Sequence, residues 1–330
     1  MTTPLASAHI TDLEGEALNA FRLCINAERR ANTDVDRLHA RVLGYLILHS
    51  PSNSARLEVA RLIHSVLFNT ENYEVFFDLG KAFVECLFRP FMDLRERSTL
   101  YPEESGHFDI HETPADWVDL AERVKQSPFS PSSHEEVDRV ALIRDGFRCA
   151  VTGQYDFLVM KMSGIEEDEI LRMGGLLFTT CAQILPDSSC FGDHIGNVSV
   201  QSADYTTAVW KVLREFGYNP QDLTSSGAHN LCNVMTMTRE VYEFFSRLEI
   251  WFEPVDDKDG YTIQTRHQYI RVPKNCRLTS PNPFIPAPSR QYIKFHATCA
   301  KVAHYSGARK YLEKLDDDDS EDLEESDFEA

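Results

Sequence analysis

The chain has 330 residues, 42% of them hydrophobic and 11% aromatic, which is enough apolar material for one large or two ordinary cored domains. No apolar run approaches the ~20 residues that span a bilayer, and Met1–His9 lacks the basic start and apolar stretch of a secretory signal, so no membrane partner and an intracellular location, nuclear or cytoplasmic, are expected. A formal charge of −19 excludes a chain-wide basic footprint for nucleic acid.

Helices are predicted over the first ninety residues. Thr11-x-x-Glu14 reads as a capping box, and Leu18, Phe21 and Ile25 follow at helical spacing. Val35, Leu38, Val42 and Tyr45 repeat the pattern up to Pro51. Ala55–Phe68 is a third candidate, and Tyr73–Phe88 a fourth, ending before Arg89-Pro90. Residues 1–95 therefore read as a helical amino-terminal domain. Residues 96–133, with Pro102, Pro114, Pro128, Pro131 and many acids and serines, read as a linker.

From His134 a helix start at Glu135-Glu136 leads to Val140, Leu142 and Ile143, and Asp145-Gly146 turns the chain. Phe147–Val151 reads as a short strand and Leu176–Leu185 as a second, with a loop or short helix over Ile165–Arg172 between them. Tyr205–Phe216 has helical spacing and Gly217 as its stop. Val234–Met237 leads into a helix holding Val241, Phe244, Phe245 and Leu248. Glu249–Glu253 and Tyr261–Arg266 read as a hairpin, and Gln291–Leu315 as a carboxy-terminal helix. The expected fold class is α+β, with residues 134–315 as the second ordered region.

Residues 316–330 hold ten acids and no Lys or Arg, leaving 33 basic against 42 acidic groups, or −9, for residues 1–315. Such a run repels itself and buries nothing, so it reads as a disordered solubilising tail that is also able to attract a basic protein. Eight cysteines without a C-x-x-C pair fit a reducing compartment, and Cys149 and Cys181 read as buried strand residues.

Several stretches together resemble one family. Arg144-Asp145-Gly146-Phe147-Arg148-Cys149-x-x-Thr152-Gly153 resembles an opening strand and turn, and Cys181-Ala182-Gln183-Ile184-Leu185-Pro186 a Cys-Ala-His-Ile segment. Asn233–Pro254 resembles an Asn-to-helix region followed by a Trp-Phe-Glu strand. Arg41–Leu46 and Ala303–Ala308 add matching text. The family is that of the HNH nuclease-domain proteins abundant in basidiomycete fungi. The resemblance implies a ββα-metal module acting on DNA, with a histidine as general base, an asparagine orienting loop and base, and a helix histidine holding a divalent metal (Mg, Mn or Zn).

In this sequence those places resemble Gln183, Asn233 and Tyr242. A glutamine amide has no usable base near pH 7, and a phenol with a pKa near ~10 is a poor neutral metal ligand. Two readings stay open here. One is a pseudo-nuclease kept for binding nucleic acid or protein, without a metal. The other is an active metal-dependent endonuclease in which His194 or His229 has taken over the base. A third class, an interaction protein, rests on the helical domain and the tail. No Gly-x-Ser-x-Gly, phosphate loop or His-Glu-x-x-His is present.

Overall fold

The computed structural model describes residues 2–8, 10, 12–67, 73–92, 114–126, 131, 133–161, 165–186, 200–218 and 231–315. The capping threonine Thr11, the candidate bases His194 and His229, and the acidic tail lie outside the described residues. The chain is of the α+β class, with helices and small sheets, and it divides into two units that each draw on separated stretches.

The first unit contains residues 1–90, 193–218 and 298–330. Its helices α1 (Gly15–Arg30), α2 (Asp34–His49), α3 (Asn53–Leu67) and α4 (Tyr73–Leu87) form where the apolar spacing predicts them. The N-cap of α1 is Glu14, and its side chain makes no capping bond. A reciprocal box instead opens α2. The Thr33 hydroxyl accepts from the Asp36 N–H, and the Asp36 carboxylate accepts from the Thr33 N–H. Gly80 lets α4 approach α2, because a Cβ there would stand 2.6 Å from the Cβ of His39 and 2.7 Å from its carbonyl oxygen. Buried Glu28 accepts from the Leu5 N–H at 2.9 Å and from Arg41 Nε at 2.6 Å, so its charge is paired. Helix α8 (Val200–Glu215) joins this unit through Ser54, whose hydroxyl donates to Glu215 at 2.7 Å, and through a Lys211–Glu58 ion pair.

The second unit contains residues 91–192 and 219–297. Part of the predicted linker is structured: Pro114–Gln126 is helix α5, and Trp117 is 1% exposed. Proline opens this helix instead of breaking it, since its missing N–H has no helical partner at the first turn. Helix α6 (His134–Arg144) packs beside it between two apolar clusters. Val137, Val140 and Ala141 join Leu120, Val124, Leu231 and Val234, while Leu142 joins Trp117, Phe147 and Tyr155.

The expected strand over Phe147–Val151 is a tight turn. Gly146 and Phe147 both take positive φ, the Gly153 N–H donates to the Cys149 carbonyl at 2.9 Å, and a single bridge joins Arg148 to Tyr155. Strand β1 (Tyr155–Asp156) pairs in parallel with β2 (Leu176–Leu177), after helix α7 (Glu167–Arg172). The predicted Leu176–Leu185 strand is thus two pieces, β2 and β3 (Thr179–Gln183). Val234–Thr238 is a fully buried strand, β4, rather than a lead-in, and helix α9 (Arg239–Ser246) follows it. The predicted hairpin is present as β5 (Ile250–Pro254) and β6 (Gly260–Thr265), extended by β7 (Asn275–Arg277).

Helix α10 (Arg290–Ser306) supplies its first residues to the second unit and those from Thr298 onward to the first. Gly307, at φ 89°, ends it before the predicted Leu315. Residues 308–315 resume as helix. Among the described residues no helix is long and apolar enough to cross a membrane.

Candidate functional site

Strands β3 and β4 are antiparallel, with Thr179 opposite Thr238, Cys181 opposite Thr236 and Gln183 opposite Val234. Strand alternation puts Thr179, Cys181 and Gln183 on one face and Thr180 and Ala182 on the other. Gln183 and Asn233 therefore sit at the same end of the pair. Asn233 is 4% exposed, and its amide is fully used: Nδ2 donates to the Leu185 carbonyl at 2.9 Å and Oδ1 accepts from the Leu185 N–H at 3.0 Å. Its own carbonyl accepts from the Ile184 N–H at 2.7 Å. Three bonds thus fix the segment that leaves Gln183. The side-chain oxygen of Gln183 is buried and has no hydrogen-bond partner among the described residues. Tyr242 is half-buried on α9, which packs against both strands.

The Arg144-Asp145 motif braces this end from below. The Arg144 guanidinium donates to the carbonyls of Leu231 and Val234, each at 2.8 Å, and to that of Pro286 at 3.3 Å, so it spans the entry to β4. Asp145 accepts from the Thr236 N–H at 2.8 Å. Asp156, 3% exposed, does the same for β3, accepting from the Thr179 N–H at 2.8 Å and its hydroxyl at 2.7 Å. These residues are structural, and sequence spacing does not reveal their partners.

Asp138 on α6 is missed by motif reading altogether. Its carboxyl meets the Cys181 thiol, and burial raises its pKa to about 7, against the hydrogen bond from Cys181, which lowers it; Glu135 adds to the rise. Burial first, then Asp138, pushes the Cys181 thiol well above its ordinary range, which favours the neutral thiol over the thiolate. Cys181 is half-buried on β3, whereas Cys149 is buried in the turn rather than on a strand, its sulfur accepting from the Thr152 N–H at 3.3 Å.

The donors at this site do not fit a divalent metal. Gln183 offers a neutral amide, Asn233 has spent its amide on backbone, and Tyr242 offers a phenol. Among the described residues no group of three or more His, Cys, Asp or Glu side chains is placed to share a metal ion. No protein-family model, curated protein or solved structure matches the chain.

Proposed function

We propose that β3, β4 and α9 are the strand pair and helix of an HNH-like module that no longer hydrolyses phosphodiesters and is kept for binding nucleic acid or protein. The observation that carries this reading is the pair of bonds between Asn233 and the Leu185 backbone. These bonds support the loop-orienting role that the resemblance gives the asparagine, beside a glutamine that has no proton-accepting nitrogen. Retained scaffold with a lost base is the pattern of a pseudo-nuclease. Loss of a general base typically costs ~10²–10⁴-fold.

Plasmid nicking by the purified full chain with magnesium, manganese or zinc tests it. The unaltered protein is expected to cut no faster than the buffer control. Gln183→His with Tyr242→His is expected to restore more nicking than the two single changes together suggest, because base and ligand act as a unit. Robust nicking by the unaltered chain, abolished by His194→Ala or His229→Ala and unaffected by Gln183→Ala, would sink the reading in favour of an endonuclease with a relocated base.

A further inference from the structure

The second unit ends in a stretch of reversed charge. Residues 260–297 hold Arg266, Arg271, Lys274, Arg277, Arg290 and Lys294 and no Asp or Glu, in a chain whose net charge is −19. Two of these cations are used by the fold. Arg277 pairs with Asp257, and Arg290 donates to the carbonyls of Val255, at 2.6 Å, Asp257, at 3.1 Å, and Lys258, which pins the turn between β5 and β6. Three others, Arg266, Arg271 and Lys274, lie in the loop of residues 266–274 that joins β6 to β7. That loop is longer than the about 2–5 residues of an ordinary hairpin connection, and loops of such length commonly serve binding.

The loop is held in shape at both ends and in the middle. The Arg266 N–H donates to the Glu249 carbonyl at 2.8 Å where the loop begins, and the Ile263 N–H donates to the Lys274 carbonyl at 2.8 Å where it ends. Between them the Ile270 N–H donates to the His267 carbonyl at 3.1 Å, closing a turn over Gln268 and Tyr269, and the Ile270 side chain is buried. This anchoring puts Tyr269 at the tip. Its ring stacks on that of His267, with centroids 4.8 Å apart and an interplanar angle of 10°, yet Tyr269 is 70% exposed, so the face turned away from His267 is open to solvent. Arg271 and Lys274 follow in the chain, both exposed and neither making a side-chain hydrogen bond or ion pair with the described residues. An open ring backed by a second ring, with two uncommitted cations beside it, suits an unpaired base and the phosphates that flank it. A duplex keeps its bases stacked on one another and could use only the cations.

We propose that the loop of residues 266–274 is a contact surface for single-stranded nucleic acid, a base stacking on Tyr269 and the neighbouring phosphates pairing with Arg271 and Lys274. This names one partner for the binding role proposed above but rests on other residues, and binding is read without nicking, so either can fail alone. The test is fluorescence anisotropy of the full chain at low salt with a labelled mixed-sequence single-stranded DNA of about 15 nucleotides, its RNA counterpart and the same DNA as duplex. At least one single strand is expected to bind more tightly than the duplex. Tyr269→Leu is expected to weaken it about fivefold or more while Tyr269→Phe keeps it, since a base needs the ring and not the hydroxyl. Arg271→Gln and Lys274→Gln are each expected to flatten the slope of log affinity against log salt by about 0.7, the share of one phosphate contact. Lys258→Gln removes an exposed cation at the other end of β6 and is expected to matter far less. All these side chains are exposed, and melting curves check that each variant is folded. Four results overturn the proposal: no binding of either single strand to the unaltered chain; duplex bound as well as single strand; affinity unchanged in Tyr269→Leu; or Lys258→Gln costing as much as Arg271→Gln. Binding of phosphatidylserine vesicles without binding of any oligonucleotide would overturn it too, in favour of a lipid surface.

Discussion

Arg144 and Asp145 are neighbours in the chain and also ion-pair partners, with Nε to Oδ1 at 2.8 Å and Nη2 to Oδ2 at 3.0 Å. The arginine side chain is 0% exposed and the aspartate 4%, so neither charge has solvent to fall back on. Removing one partner strands the other. Asp145→Asn is expected to cost about 3–5 kcal/mol. Arg144→Lys is also expected to destabilise, because an ammonium cannot reach a carboxylate and three carbonyls in one plane. Urea unfolding of both variants checks this. A loss below about 1 kcal/mol in Asp145→Asn would show that the pair is not what braces β4.

Asn233→Ala deletes both bonds to Leu185 and leaves a buried N–H and C=O without partners. Each such group costs about 1–3 kcal/mol. The Leu185 amide is expected to exchange its hydrogen faster in the variant, and the unfolding midpoint to fall. Unchanged exchange at Leu185 would contradict the clamp. Asn233→Asp keeps the acceptor and loses the donor, so its loss is expected to be at least as large, with a carboxylate facing the Leu185 carbonyl.

Asp138 gives stability a pH dependence whose sign is opposite to that of an ordinary paired carboxylate. Its ordinary pKa is 3.8, and in the folded chain it is about 7, so between these values the folded protein holds a proton that the unfolded chain has released. The contribution is complete below the lower value and is lost as pH rises through the upper one. Neutral buried histidines act the other way: His39 is lowered to about 4 and His296 to about 3, so they favour the folded state more above their ordinary 6.5 than below it. The difference between Asp138→Asn and the unaltered chain isolates the carboxyl. Relative to the parent, the variant is expected to gain stability on going from pH 5 to pH 8 in urea melts. A constant offset between the two proteins across that range would count against the assignment.

Two glycines of the first unit separate backbone crowding from side-chain crowding. Gly80→Ala drives a Cβ against the His39 backbone, which cannot move without shifting α2, and is expected to cost about 1–3 kcal/mol. Gly44→Ala meets only the Leu5 side chain, at 2.6 Å, and a rotamer change can relieve it. The expected order of melting temperatures is parent, then Gly44→Ala, then Gly80→Ala. Equal effects would mean that α2 and α4 part easily.

What can be read along the chain is what depends on near neighbours. Phe76, Leu79 and Phe83 announce α4 because they repeat at helical spacing and all end buried. The β5–β6 hairpin is legible because its arms flank an acidic, glycine-closed loop. Strand β4 is not, since Val-Met-Thr-Met-Thr is buried on both faces and lacks the alternation of a one-sided strand. Trp117 is hidden for another reason. The prolines and acids around it look like loop, and only its partners Phe147 and Tyr155, far along the chain, make it core. At the candidate site the sequence points to Gln183 and Asn233. It says nothing of Asp138, whose meeting with Cys181 is created by the packing of α6.

Gly307 and the helical residues around it have a consequence for how the protein is made. Tyr305 stacks on Tyr45, the Thr298 hydroxyl donates to the His49 carbonyl, and Tyr311 packs edge-on to His39, so the finish of α2 depends on residues near the far end of the chain. At about 5–20 residues per second, the helices of residues 1–90 leave the ribosome on the order of 10–40 s before residue 298 is made. Through that interval Tyr45 and His49 lack the Tyr305 ring that stacks on both of them in the folded chain.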